Sequence, residues 1–199
     1  MTRHLMTDEL ERGLDHILAS PQDGGRLELI VRRPEVDTRE SLDEGRLDVD
    51  QGLVGDNWLS RGSRHMPGGA ADPDMQLNIM NARVAALVAD DPARRELAGD
   101  QLYLDMDLSA ENLPPGTRLG LGDAIIDEGS KLGIYPFILA LADDDLNEAF
   151  LYPEQCTPDQ STVLTKYSKD DNLQGHKNIR AMEQNFKLVY MAEEERIRE

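Results

Sequence analysis

Gln-Gly-Leu-Val-Gly-Asp-Asn-Trp, Gln51 to Trp58, decides how the rest of the chain is read. Gly52 and Gly55 stand three apart ahead of Asp56. That spacing suits a strand leaving into a tight loop, because glycine takes positive φ without a steric penalty. Residues 59–74 then hold Arg61, Gly62, Arg64, His65, Gly68, Gly69, Asp72 and Asp74 with almost nothing apolar. An exposed loop of that length is unusual inside a compact domain, and such loops tend to be functional or disordered.

Working outward, Met75, Leu77 and Ile79 alternate with Gln76 and Asn78 as a short strand, followed by a helix capped at Asn81 with Val84, Leu87 and Val88 on its buried side. Ala93 to Ala98 add one or two turns before Gly99, and Gln101 to Met106 is a strand. Arg118 to Leu121 and Ala124 to Ile126 pair across Gly122-Asp123. Towards the N-terminus, Thr7 caps a helix that carries Leu10, Leu14, Ile17 and Leu18 at helical spacing and ends at Ser20-Pro21. Arg26 to Arg33 is a strand with Leu27, Leu29 and Val31 on one face, and Thr38 to Leu42 with Arg46 to Val49 form a hairpin. Several short strands with small helices between them give a mixed, β-rich, barrel-like fold.

Composition limits the function classes. The chain has 199 residues, enough for one well-cored domain, or one domain with an appendage. A formal charge of −18 argues against a non-specific nucleic-acid binder or an acidic membrane surface as partner, since phosphates must be met by clustered Lys and Arg. Cys156 is the single cysteine, so an intramolecular disulfide and a Cys-rich zinc site are excluded, and a reducing, cytoplasmic setting fits. The N-terminus lacks the apolar core of a signal peptide, and the apolar run from Leu132 to Ala142 is too short to span a bilayer.

A break in composition falls near residue 128. Residues 1–126 contain thirteen Arg and no Lys, whereas residues 127–199 hold all five Lys and three Arg. Folding physics asks for no such split on exposed surfaces, so the simplest account is a different sequence history for the last third: a divergent tail, a fused segment or an altered reading frame. We therefore divide the chain into residues 1–128 and a divergent segment 129–199, which either completes the barrel or forms an appendage. Within that segment, Leu132 to Ala142 suggests a strand entering a helix, Asp143 to Leu151 a helix, and residues 152–178 a polar, turn-rich stretch. Ile179, Met182, Phe186, Val189 and Tyr190 recur at helical spacing, so Ile179 to Arg198 suggests an amphipathic helix, with a strand at Phe186 to Met191 as the alternative, and residues 178–199 are the segment expected to dock a protein partner.

The ordered series Gly52–Trp58, Met75–Val84, Gly99–Leu108 and Pro114–Asp123 resembles the MOSC domain, the module named for the C-terminal part of molybdenum-cofactor sulfurases. The resemblance covers about residues 1–128 and implies a compact β-barrel. It further implies sulfur-carrier chemistry on a cysteine, or binding of the molybdenum cofactor (molybdopterin), with molybdenum and pyridoxal phosphate binding as family-level associations. The family pattern His-x-Gly-Cys-x-Lys-Phe falls on Lys131 to Phe137, where Gly133 and Phe137 fit but Lys131, Ile134 and Pro136 replace the His, Cys and Lys. An isoleucine forms no persulfide, so the expected sulfurtransferase activity is lost. Cys156 is the other thiol that could act as the catalytic residue, yet its neighbour Glu154 raises rather than lowers a thiol pKa.

The residues expected to bind are Asp56, Asn57, Arg61, Arg64 and His65. Arg61, Arg64 and His65, beside glycines that expose backbone N–H groups, suit a small anionic or pterin-like ligand. Asp56 orients the loop or closes a turn, and Trp58 lines the cavity or fills core. The spacing of His65, Asp72 and Asp74 matches no standard metal-ligand set. A non-catalytic interaction module that uses residues 178–199 is the alternative from another functional class.

Overall fold

Gly52 and Gly55 adopt φ of 68° and 83°, so the decisive stretch turns where its glycines stand. The structure, a computed structural model, describes residues 5–89, 91–114, 117–128, 136–141, 148–151, 153 and 164–167. Its helices are α1 (Thr7–Leu18), α2 (Trp58–Arg61) and α3 (Ala82–Val88). Its strands are β1 (Arg26–Arg32), β2 (Glu40–Leu42), β3 (Gly45–Asp48), β4 (Gly52–Leu53), β5 (Leu77–Asn81), β6 (Leu102–Asp105), β7 (Arg118–Leu121), β8 (Ala124–Glu128), β9 (Pro136–Leu141), β10 (Glu148–Leu151) and β11 (Leu164–Tyr167). Eight strands form one sheet in the order β11-β7-β8-β9-β5-β6-β1-β2, and β10-β3-β4 form a second. The fold is mixed and β-rich, and among the described residues no pairing of β2 with β11 closes the large sheet into a barrel.

Strand pairing crosses the composition break: β9 lies between β8 and β5, β10 pairs with β3, and β11 pairs with β7. The helix expected to run through Leu151 is, over Glu148–Leu151, strand β10, and the polar stretch 152–178 contains β11. In both places the partner strand lies far away in sequence, and pairing overrides local pattern. The docking segment 178–199 lies outside the described residues.

A β-bulge sets the faces of β1. Leu27 stands opposite Leu104 and Leu29 opposite Tyr103, which leaves Glu28 as the extra residue. The alternation therefore slips. Leu27 and Ile30 join the main core with Leu47, Leu77, Leu104 and Leu119, while Val31 joins Ala82, Ala85 and Tyr103 under α3, where Leu29 packs against them. The expected single face of Leu27, Leu29 and Val31 is corrected by that one residue. Similarly, Thr38–Leu42 and Arg46–Val49 do not form a hairpin, because β2 pairs with β1 and β3 with β4 and β10.

The helices are held by caps and close approach more than by buried stripes. The first residue of α1 is Thr7, with Met6 as its cap. Met6 donates its N–H to the Glu9 carboxylate at 2.9 Å, a position where a negative charge also suits the helix dipole. No α1 residue is buried. The helix approaches α3 at Gly13, where a Cβ would stand 2.5 Å from Leu87 Cδ1. On α3, Asn81 is the cap as expected, but the buried residues are Ala82 and Ala85, and Val88 is exposed. Small side chains let this short helix lie close over Tyr103 and Val31. Arg83 then locks the layer, donating Nε to Asp105 Oδ1 at 2.6 Å and Nη1 to the His16 carbonyl at 2.8 Å.

Candidate functional site

The seat of the loop is a buried ion pair that the sequence did not reveal. Asp56 follows the Gly55 turn, and its carboxylate points inward to Arg33 at the end of β1. Oδ2 accepts from the Arg33 backbone N–H and from Nε, each at 2.9 Å, and Oδ1 accepts from Nη2 at 2.9 Å. The Asp56 side chain has no exposure and that of Arg33 has 7%. Trp58 donates its backbone N–H to Oδ1 at 2.9 Å, and Arg33 Nη1 donates to the Gly99 carbonyl at 3.0 Å. Asp56 thus fixes the loop to β1 and, through Arg33, to the Gly99 turn.

Asn57 opens α2 and donates its N–H to the Arg33 carbonyl at 2.8 Å, while its own carbonyl accepts from Arg61 N–H at 2.7 Å. Its side-chain oxygen, Oδ1, is buried and finds no donor among the described residues. Trp58 is buried and donates Nε1 to the Asp72 carbonyl at 3.1 Å, so it fills core and staples the far end of the loop. Arg61, Arg64 and His65 are exposed. Arg64 Nε donates to His65 Nε2 at 3.1 Å, which makes these two a local pair.

The loop closes on itself. Ser63 donates its N–H to the Ala70 carbonyl at 2.8 Å, and a Cβ on Gly62 would run into the Gly69 carbonyl oxygen. Gly62 has φ 62° and ψ −167°, a region open to glycine almost alone. Gly62→Ala is therefore expected to cost about 1–3 kcal/mol and to unseat the 63–70 closure. Urea unfolding, with amide exchange at Ser63, measures both; unchanged protection there would show that the loop tolerates a side chain.

On the other side of Arg33 lies the Gly99 turn, with Asp100 and Tyr103. Burial raises the Asp100 pKa above 3.8, opposed by the Arg33 charge and by a backbone hydrogen bond. Burial, and then the Asp100 charge, push the Tyr103 phenol up to about 12. A carboxyl whose folded pKa is raised favours folding most below its unfolded value, and that contribution is lost as pH rises through the folded value. Asp100→Asn is thus expected to be more stable than the native chain at neutral pH, with the gap vanishing below about pH 3.8. Urea midpoints across that range measure the gap, and a constant difference at all pH values would contradict it.

Among the five expected binding residues, the structure gathers Asp56, Asn57 and Arg61 on one turn of chain and sets Arg64 and His65 further out on the loop. Cys156 and Ile134 lie outside the described residues. Arg33 and Gln101 went unrecognised, although a buried Arg ending a strand is a detectable signal once an unpaired Asp is sought. Gln101 is fully buried, accepts the Asn78 N–H at 2.8 Å and donates to the Gln76 carbonyl at 3.3 Å beneath the same loop. Among the described residues, no group of three or more His, Cys, Asp or Glu could hold a metal ion, and no helix is long and apolar enough to cross a membrane.

No family model and no curated protein matches the chain. Two solved structures are similar to it in shape. The YuaD protein from Bacillus subtilis overlays with a TM-score of 0.48 at 13% identity, covering 72% of this chain and 96% of that one. YiiM from Escherichia coli overlays with a TM-score of 0.40 at 16% identity, covering 72% of this chain and 70% of that one. Neither likeness assigns a function.

Proposed function

We propose that this is a MOSC-like protein of the molybdenum-cofactor and sulfur-transfer class that binds a molybdopterin-type or other anionic ligand at the Asn57–His65 loop and has lost the sulfur-carrier step. The observation that carries the binding reading is the Asn57 side-chain oxygen, a buried acceptor with no donor among the described residues. A buried polar group left unpaired costs free energy, and a ligand N–H relieves that cost. A pterin ring offers such donors at its edge. Arg61, one turn along from Asn57, and Arg64 supply the positive charge that a phosphate end requires. The residues present therefore fit the group. Bound molybdopterin would supply a dithiolene-held metal, while this chain supplies the seat: Asn57 for the ring, Arg61 and Arg64 for the phosphate, and Asp56 to hold the loop on β1. The loss of the carrier step rests on Ile134 in the family's cysteine position.

Binding is tested by titrating molybdopterin under anaerobic conditions against the emission of Trp58, the single tryptophan. Asn57→Ala and Arg61→Ala are each expected to weaken binding about tenfold, the equivalent of one hydrogen bond or charge contact. Equal affinity in both variants would move the ligand elsewhere. For the carrier step, incubation with a persulfide donor is expected to leave no transferable sulfur on Cys156, as followed by intact mass. An adduct there that passes to an acceptor would restore sulfur transfer.

A further inference from the structure

One apolar face of α1 stands open to solvent. Met6, Leu10, Leu14 and Leu18 follow one another at intervals of four residues, on one line along the helix, and are 40 to 70% exposed. The helix rests on α3 along the neighbouring line of Glu9, Gly13 and Ile17, which is half-buried and approaches Leu87 at Gly13. Glu11 and Asp15, both exposed, border the Met6–Leu18 line on the side away from Gly13. Among the described residues nine large apolar side chains are exposed, and four of them lie on this line. Single exposed hydrophobics are ordinary, whereas a continuous apolar line bordered by charge marks a contact surface. A helix of 12 residues with none buried also needs such a contact, since isolated helices of that length are marginal in water.

A stretch of the same chain, outside the described residues, matches this face in spacing, charge and reach. Met182, Phe186 and Tyr190 repeat the four-residue interval, and at helical spacing Ile179 and Val189 fall on the same face. Arg180 and Lys187 border that face on the same-handed edge that Glu11 and Asp15 occupy on α1, and same-handed edges meet when two helices pack antiparallel. Residues 177–191 carry Lys177, Arg180 and Lys187 against Glu183, a net +2 in a chain of −18, whereas α1 carries Asp8, Glu9, Glu11 and Asp15 against Arg12, a net −3. A second copy would bring its own Glu11 and Asp15 to the same edge, and like charges there disfavour it. The segment also reaches. Leu164, which opens β11, donates its N–H to the Gly25 carbonyl at 3.0 Å, Gly25 lies against Met106, and Asn81 Nδ2 joins the Met106 carbonyl to the Ser20 hydroxyl at the end of α1. From there β11 covers about 10 Å and residues 168–178 span up to about 36 Å, so residue 179 reaches the C-terminal end of α1.

We infer that residues 179–190 dock as an antiparallel helix on the exposed line of α1, with Met182 opposite Leu14, Phe186 opposite Leu10 and Tyr190 opposite Met6. Lys187 then stands beside Glu11, and Arg180 beside Asp15. The amphipathic segment thereby covers a face of its own chain and not a second protein. This contact is independent of the Asn57 loop and of any ligand bound there.

The test uses the full chain with Cys156→Ser, in which introduced cysteine pairs are oxidised at low protein concentration. Met6→Cys with Tyr190→Cys is expected to form a disulfide within one chain, whereas Met6→Cys with Met182→Cys, the pair a parallel arrangement would bring together, is not. Preferential linkage of the second pair, or linkage between chains, overturns the inference. Amide exchange gives a second readout. Phe186→Asp is expected to speed exchange over Leu10 to Leu18 about tenfold while leaving β6 unchanged. Lys187→Glu, a milder change at the edge of the contact, is expected to speed it less, and Glu11→Lys added to Lys187→Glu to restore protection. Unchanged α1 exchange in Phe186→Asp, or no recovery in the charge-swapped pair, likewise overturns the inference.

Discussion

Asp56→Ala is expected to destabilise the protein by about 3–5 kcal/mol, because it leaves the Arg33 guanidinium charged and buried without the carboxylate that accepts from its Nε and Nη2. At about 2–4 °C per kcal/mol for a chain of this size, melting falls by roughly 6–20 °C. The cost does not measure the net worth of the pair. Taking both charges out of water is itself expensive, so Arg33→Met combined with Asp56→Leu is expected to be less destabilised than Asp56→Ala alone. The double-mutant comparison in urea checks this. If the double variant lost as much as the single Arg33→Met and Asp56→Leu variants together, the two side chains would be uncoupled and their pairing would contribute nothing. A second readout is local: Trp58 takes its backbone acceptor from Asp56 and staples the loop to Asp72, so its emission should change at denaturant concentrations below the global transition. Unfolding by steps in the variant and in one step in the native chain would show that Asp56 mainly positions the candidate ligand loop.

That pair also marks the limit of what local pattern conveys. Turn residues announced themselves: Gly52 and Gly55 adopt the positive φ expected of them, and β7 and β8 pair across Gly122-Asp123 in the expected register, with Leu121 opposite Ala124. The Asn81 cap and the extents of α1 and β1 were legible for the same reason, since each depends on neighbours within four residues. What failed depends on partners far along the chain. The bulge at Glu28 is set by pairing with β6, the separation of β2 from β3 by pairing with β10, and the strand at Glu148–Leu151 by β3. The candidate site divides in the same way. The Asn57–His65 loop was visible as a polar, glycine-rich run, whereas Arg33 and Asp56 lie 23 residues apart and meet only through the turn between them.

Asn81→Ala is expected to cost about 2–4 kcal/mol, well above an ordinary cap, because one side chain closes three elements at once. Its Oδ1 accepts the N–H groups of Arg83 and Val84 at 2.8 and 3.1 Å, satisfying the first turn of α3. Its Nδ2 donates to the Ser20 hydroxyl at 2.9 Å, where α1 ends, and to the Met106 carbonyl at 2.7 Å, just past β6. The cap alone accounts for about 1 kcal/mol. The remainder comes from the two Nδ2 bonds, since Ser20 and Met106 are buried and water does not readily replace the lost donor. Asn81→Ser separates the two contributions, because a serine hydroxyl caps the helix yet cannot reach both acceptors. It is expected to recover about 1 kcal/mol of the alanine loss and no more, as measured by urea unfolding. Full recovery would mean that the Ser20 and Met106 contacts contribute nothing. The layer would then be held by the Arg83–Asp105 ion pair and by the packing of Ala82 and Ala85 on Val31 and Tyr103.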